Sequence, residues 1–208
     1  MKLWRVLTVL LILVPMLVAS AQDQSLINRF YNGLSSSCLE LSYKYVVRLS
    51  GTVNNGEGCL YSQGLMWRMT GNGVEMYCDS SSVWILDHAM KEVVIEPVAE
   101  ADANEWLSNP AVIFSRLKDY FKVTESLPSK DGQSILYVLN PLNNGDISYC
   151  NLDLMKSDAS IRNATIALSD GTIIKIEVSS MKLTPKVSAE AFRPRMYFDS
   201  SWLLTDLR

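Results

Sequence analysis

Between Leu41 and Ile95 the chain reads as six short strands separated by turns too brief to hold a crossover helix. Leu41, Tyr43, Tyr45, Val47 and Leu49 alternate with Ser42, Lys44, Val46 and Arg48, the period-two signature of a strand. Asn54-Asn55-Gly56 supplies residues that tolerate positive φ, so a hairpin turn is expected there. Segments 59–63 and 65–70 follow, broken at Gly64. Gly71-Asn72-Gly73 then turns the chain into 74–78, residues 79–82 into 83–87, and His88-Ala89-Met90 into 91–95. Parallel strands need a connection of about a dozen residues or more, so this meander is antiparallel. Its apolar side chains fall on more than one face, which suggests a curved sheet able to wrap something greasy.

Helical spacing brackets the meander. Leu26, Ile27, Phe30, Tyr31 and Leu34 share one stripe. Asn109-Pro110 has the form of an N-cap followed by Pro at the first helical position, and Val112, Ile113, Leu117, Tyr120 and Phe121 give that second helix an apolar face. Strand patterning returns over 134–139, 147–154, 161–168 and 173–183, with turns at Asn143-Asn144-Gly145 and Asp170-Gly171. The order helix, sheet, helix, sheet predicts a mainly β protein. Its expected form is an open, incomplete antiparallel β-barrel of about ten strands, with two or three helices as a lid on the inner face.

A leader precedes this domain. Lys2 and Arg5 flank the start of an apolar run from Leu3 to Val18, and Ala19-Ser20-Ala21 has the small-x-small form of a cleavage site. Residues 1–21 are expected to be removed after Ala21 on export, leaving 22–208 as one domain. No later stretch approaches the ~20 apolar residues that span a bilayer, so an integral membrane protein is not expected. With 19 basic against 22 acidic residues, the charge balance argues against nucleic acid as a partner. Cys38, Cys59, Cys78 and Cys150 are an even number in an oxidising compartment, which favours two disulfides. Cys59 and Cys78 lie two strands apart, roughly 10 Å, whereas a bridge needs Cα atoms within about 7 Å. That pairing is therefore the one not expected.

Tools for catalysis are scarce. His88, the one histidine, falls at a hairpin tip and reads as a solvated turn residue. The chain has no G-x-S-x-G, no phosphate-cradling glycine loop and no H-E-x-x-H. Asp79, Asp87 and Glu92 sit at turns or strand ends, where acids bond to local backbone. Asn163-Ala164-Thr165, a glycosylation pattern within a strand, reads as a chance match. An enzyme is not expected, nor a cofactor or metal. What remains is apolar surface: Leu65, Trp67 and Met69 share one strand face, Val74 and Met76 another, Trp84 and Leu86 a third. Methionine adapts to irregular apolar partners such as an acyl chain.

The order of these segments resembles the LolA family of periplasmic outer-membrane lipoprotein carriers. The resemblance runs from the helix at Leu26 to Leu34 and the strand at Tyr43 to Leu49 through Gly58-Cys59-Leu60-Tyr61 and Leu65-Met66-Trp67-Arg68-Met69. It continues through Val74-Glu75-Met76-Tyr77-Cys78-Asp79, Val83-Trp84-Ile85-Leu86-Asp87 and Lys91-Glu92-Val93. The Asn109-Pro110 helix, the Ser169-Asp170-Gly171-Thr172-Ile173 turn and Phe192 before Pro194 complete it.

The resemblance implies a periplasmic, monomeric, non-enzymatic carrier that shields the acyl chains of lipoproteins between an inner-membrane exporter and an outer-membrane receptor. Tyr45, Val47, Leu65, Trp67, Met69, Met76 and Trp84 would line the lipid cavity, and Leu26, Phe30, Ile113 and Leu117 would belong to the lid helices. Carriage of another lipid or glycolipid, or service as an exported interaction or sensor module on the same fold, are the alternatives. The sequence departs from the family's pattern in two places. Ser62-Gln63-Gly64 stands where the family has an Arg-Pro pair whose arginine latches the lid, and strand parity points the nearby Arg68 away from Trp67. The late sheet also looks one hairpin short.

Overall fold

The computed structural model describes residues 23–98, 117–143, 145–195 and 198–208. They build one sheet from β1 (Cys38–Leu49), β2 (Thr52–Gln63), β3 (Met66–Gly71), β4 (Val74–Cys78), β5 (Ser82–Asp87) and β6 (Glu92–Pro97). It continues with β7 (Phe121–Pro128), β8 (Ser134–Pro141), β9 (Ile147–Met155), β10 (Ile161–Leu168), β11 (Ile173–Thr184) and β12 (Leu203–Asp206). The strand order is β12-β6-β5-β4-β3-β2-β1-β11-β10-β9-β8-β7. Pairing of β1 with β11 welds two antiparallel meanders into one surface. The end strands β12 and β7 do not pair with each other, so the barrel is open, as the sequence pattern predicts.

Twelve strands form rather than about ten, and both extra ones were hidden for local reasons. Phe121, expected at the end of a helix, begins β7 directly after a helical turn at residues 117–120. A bulge between Val123 and Glu125 breaks the alternation of β7, and such an interruption erases the period-two signal. β12 is only four residues long and adds to β6 in parallel, the one parallel pair in the sheet. The first hairpin also turns earlier than expected. Ser50 and Gly51 both have positive φ and join β1 to β2, while Asn54-Asn55-Gly56 lies inside β2.

Alternation assigns each residue to a face. On the inner face, β1 to β5 present Leu39, Leu41, Tyr43, Tyr45 and Val47, then Leu60 and Ser62, Trp67 and Met69, Met76 and Cys78, and Val83 and Ile85. Helix α1 (23–36) lies on the same face, and its Leu26, Ile27 and Phe30 join the main core. A second, smaller core of Leu86, Val93 and Ile95 sits on the outer face, where Tyr77, Trp84, Phe198 and Trp202 pack against it. The chain after β11 therefore crosses to the outside. It makes a single 3-10 turn at Ala189–Phe192 before reaching β12. No described helix is long and apolar enough to cross a membrane. The expected leader (1–21), Asn109-Pro110 and Ile113 lie outside the described residues.

Candidate functional site

Helix α1 is pinned at its start. The Ser126 hydroxyl donates to Asp23 Oδ2 at 2.8 Å, the Tyr137 hydroxyl to the Asp23 carbonyl at 2.6 Å, and Arg29 Nη2 to the Lys156 carbonyl at 2.8 Å. These contacts seat the helix over β7 to β10. Beneath it Ile135, Tyr137, Leu139, Cys150, Leu152, Leu154, Ile161, Ala164 and Ile166 are all buried. Leu117 closes the same core. Leu26, Phe30 and Leu117 thus all lie within the packed inner core.

The inner face of β1 to β6 is covered less completely. Its floor of Leu39, Leu41, Leu60, Trp67 and Cys78 is buried. Around that floor, Tyr43, Tyr45, Val47, Met69, Met76, Val83, Ile85 and Val94 are only half-buried. The result is an apolar face, partly accessible, beside a fully packed one. Two glycines shape its far end. A Cβ on Gly56 would stand 2.6 Å from the Tyr45 hydroxyl, and one on Gly58 2.9 Å from the Tyr43 hydroxyl. The rings of Tyr43 and Tyr45 cross the neighbouring strand over these glycines, their centroids 6.3 Å apart. Burial pushes the Tyr43 hydroxyl up to about 12, so the phenol stays neutral, and the Asn72 amide donates to Tyr45.

Five of the seven cavity candidates (Tyr45, Val47, Trp67, Met69 and Met76) share this inner face. Two do not contribute to it. Leu65 sits in the turn before β3 and is 45 % exposed. Trp84 pairs with Tyr77 and Ile95 on the outer face, because on β5 it is Val83 and Ile85 that point inward. Its ring belongs to the outer core with Phe198 and Trp202.

The expected disulfides are corrected as well: all four cysteines are free thiols. Cys59 lies opposite Ser42, four residues along β1 from Cys38, which is about 13 Å. Cys78 on β4 and Cys150 on β9 are six places apart in the sheet. Burial raises the Cys78 thiol, and pushes that of Cys150 up to about 12, so both behave as small apolar groups.

Neither residue considered for the latch faces the lid. The Gln63 side chain points outward and makes two hydrogen bonds to Val187, Nε2 to the carbonyl at 3.0 Å and the Val187 N–H to Oε1 at 2.8 Å. Arg68 lies over the Tyr61 ring, 4.5 Å from its centre, on the face opposite Trp67. Tyr61 in turn packs on Phe192. What Gln63 holds is the C-terminal arm.

That arm carries no alternating or helical run by which periodicity could place it. Arg193 donates from Nε and Nη2 to Asp79 Oδ2, both at 2.6 Å, and the Asp79 side chain is only 2 % exposed. Burial opposes ionisation of Asp79. The Ser81 hydroxyl and N–H, the Ser82 N–H and Arg193 outweigh it and hold the carboxyl down at about 2. The one available signal was Phe192 and Trp202 in a polar tail. His88, at the turn between β5 and β6, lies 3.3 Å from Glu75 and edge-on to Trp202. Among the described residues no group of three or more His, Cys, Asp or Glu could hold a metal ion.

The profile of the outer membrane lipoprotein carrier protein LolA matches residues 65–195. The chain belongs to the LolA family. No curated protein sequence matches it. Among solved structures it is similar to an uncharacterised conserved protein from Thermus thermophilus, with 12 % identity, 88 % of this chain and 98 % of that chain covered, and a TM-score of 0.54. A LolA superfamily protein from Nitrosomonas europaea is 10 % identical over 82 % of this chain and 97 % of that one, with a TM-score of 0.46. A DUF1329 family protein from Desulfovibrio piger is 13 % identical over 85 % and 97 %, also with a TM-score of 0.46.

Proposed function

We propose that this LolA-family chain is a non-enzymatic carrier that holds the acyl chains of lipoproteins against the inner face of β1 to β6. The observation that carries this reading is the half-covered apolar surface of Tyr45, Val47, Met69, Met76, Val83 and Ile85 beside a packed hydrophobic floor. Burying each methylene contributes about 0.8 kcal/mol, so ten methylenes supply roughly 8 kcal/mol before the costs of association. A gross gain of that size corresponds to about micromolar affinity at best, tight enough to carry and weak enough to release. In this reading the chain is exported, cleaved after Ala21, and works as a periplasmic monomer between an inner-membrane exporter and an outer-membrane receptor.

Native mass spectrometry of the protein taken from a periplasmic extract tests the reading. A carrier shows an added acylated mass that is lost in Met69→Asp, because a charge placed on this face costs several kcal/mol when unpaired. A parent protein that carries no lipid and binds no acylated probe would refute it.

A further inference from the structure

One row of the inner face carries hydrogen-bonding groups in a buried setting. Ser62, Trp67 and Cys78 lie side by side across β2, β3 and β4, and all three are buried. Cys78 directs its thiol to the Leu65 carbonyl at 3.7 Å. The indole N–H of Trp67 has no oxygen or nitrogen acceptor, although the residue is only 1 % exposed. Its one partner is the Cys78 sulfur across from it, and a thiol sulfur is a weak acceptor that leaves the donor poorly satisfied. A buried donor left in this state costs stability, and a native fold keeps such a group where something satisfies it in use. Phe in its place would fill the floor with no such cost.

We infer that Trp67 is a specificity residue: its indole N–H donates to the carbonyl oxygen of an ester- or amide-linked acyl group bound on the inner face. This rests on the carrier reading and sharpens it. The next row along the strands, Leu41, Leu60, Met69, Met76 and Ile85, is wholly apolar, and its half-open Met69, Met76 and Ile85 offer the hydrocarbon its contact. A ligand with a carbonyl is thereby distinguished from one of equal length that is hydrocarbon or ether throughout. The selectivity follows from the poorly met donor, since a ligand without an acceptor leaves the N–H buried against the thiol alone.

The test compares two fluorescent probes of equal chain length, one amide-linked and one ether-linked, on the mature parent and on Trp67→Phe. The parent is expected to prefer the amide probe by about fivefold to tenfold, the worth of one neutral hydrogen bond. Trp67→Phe should lose that preference by weakening the amide probe alone. Equal weakening of both probes would mean that Trp67 only packs, and would overturn the assignment. A parent that binds neither probe overturns the carrier reading itself. Should the variant not fold, the parent's own indole ¹⁵N–¹H resonances decide. One of them must shift on binding the amide probe and not the ether probe, and identical responses to both probes refute the proposal.

Discussion

The two halves of the inner face are made from the same kinds of side chain and differ in cover. Over β7 to β10, α1 is tied down by Asp23, Arg29, Ser126 and Tyr137, and the residues beneath it are buried. Over β1 to β6, only the floor is buried and the surrounding methionines, tyrosines and valines stay half open. A packed interior yields stability, whereas an apolar surface left partly open yields binding. The composition echoes this division: Leu, Ile and Ala fill the packed half, while Met69, Met76, Tyr43 and Tyr45 line the open one. The outer face of β4 to β6 is apolar too, and there the chain supplies its own cover in Phe198 and Trp202.

Core truncation is the strongest way to break the comparison. Leu154→Ala, in the packed half, is expected to lose about 2–5 kcal/mol, whereas Met76→Ala in the open half should lose under about 1.5 kcal/mol. Urea unfolding of both variants decides this, and similar losses would mean that the open half is core after all. Met69→Asp should go the other way, abolishing acyl-probe binding while circular dichroism still reports the native sheet. The same charge at Leu152 should prevent folding.

The outer cover gives the next effect. Arg193→Ala removes the charged partner of a buried carboxylate that keeps its bonds from Ser81 and Ser82, and should cost about 1–3 kcal/mol. Asp79 ionises near 2 in the fold against an ordinary 3.8. Its depressed value means that its contribution is fully present above about pH 4 and is lost as pH falls towards 2. Asp79→Asn should flatten that part of the acid-unfolding curve, and an unchanged curve would show that the carboxylate is not held as described. A smaller effect belongs to Gln63→Ala. It should loosen the arm by about 0.5–1.5 kcal/mol and alter probe affinity by less than about tenfold, since Gln63 grips Val187 on the far face. Arg68→Ala should be milder still, a cation–π contact on an exposed face being worth about 0.5–1 kcal/mol. Loss of binding in either variant would tie the outer face to the site.

Much of the fold could be read along the chain. The six-strand meander, four of the five strands of the second meander and the stripe on α1 follow from periodicity, which is local. The bulged β7 and the four-residue β12 could not, because one loses its alternation and the other is too short to show any. Within the site, parity placed Trp67 and Met69 together and set Arg68 against them. Parity also set Trp84 with Leu86 on one face; it was the resemblance that put Trp84 in the cavity, whereas β5 turns Val83 and Ile85 inward.

Local patterning dictates which residues alternate, where most turns fall and that the chain must bury an antiparallel sheet, because side-chain period and turn chemistry act over a few residues. Long-range pairing settled which face each strand turns inward, that the four cysteines stay free, and that Gln63 and Arg193 hold the arm. Those outcomes depend on register, and register is set by hydrogen bonds between residues far apart in the chain, such as Tyr43 with Val178 and Leu203 with Glu92.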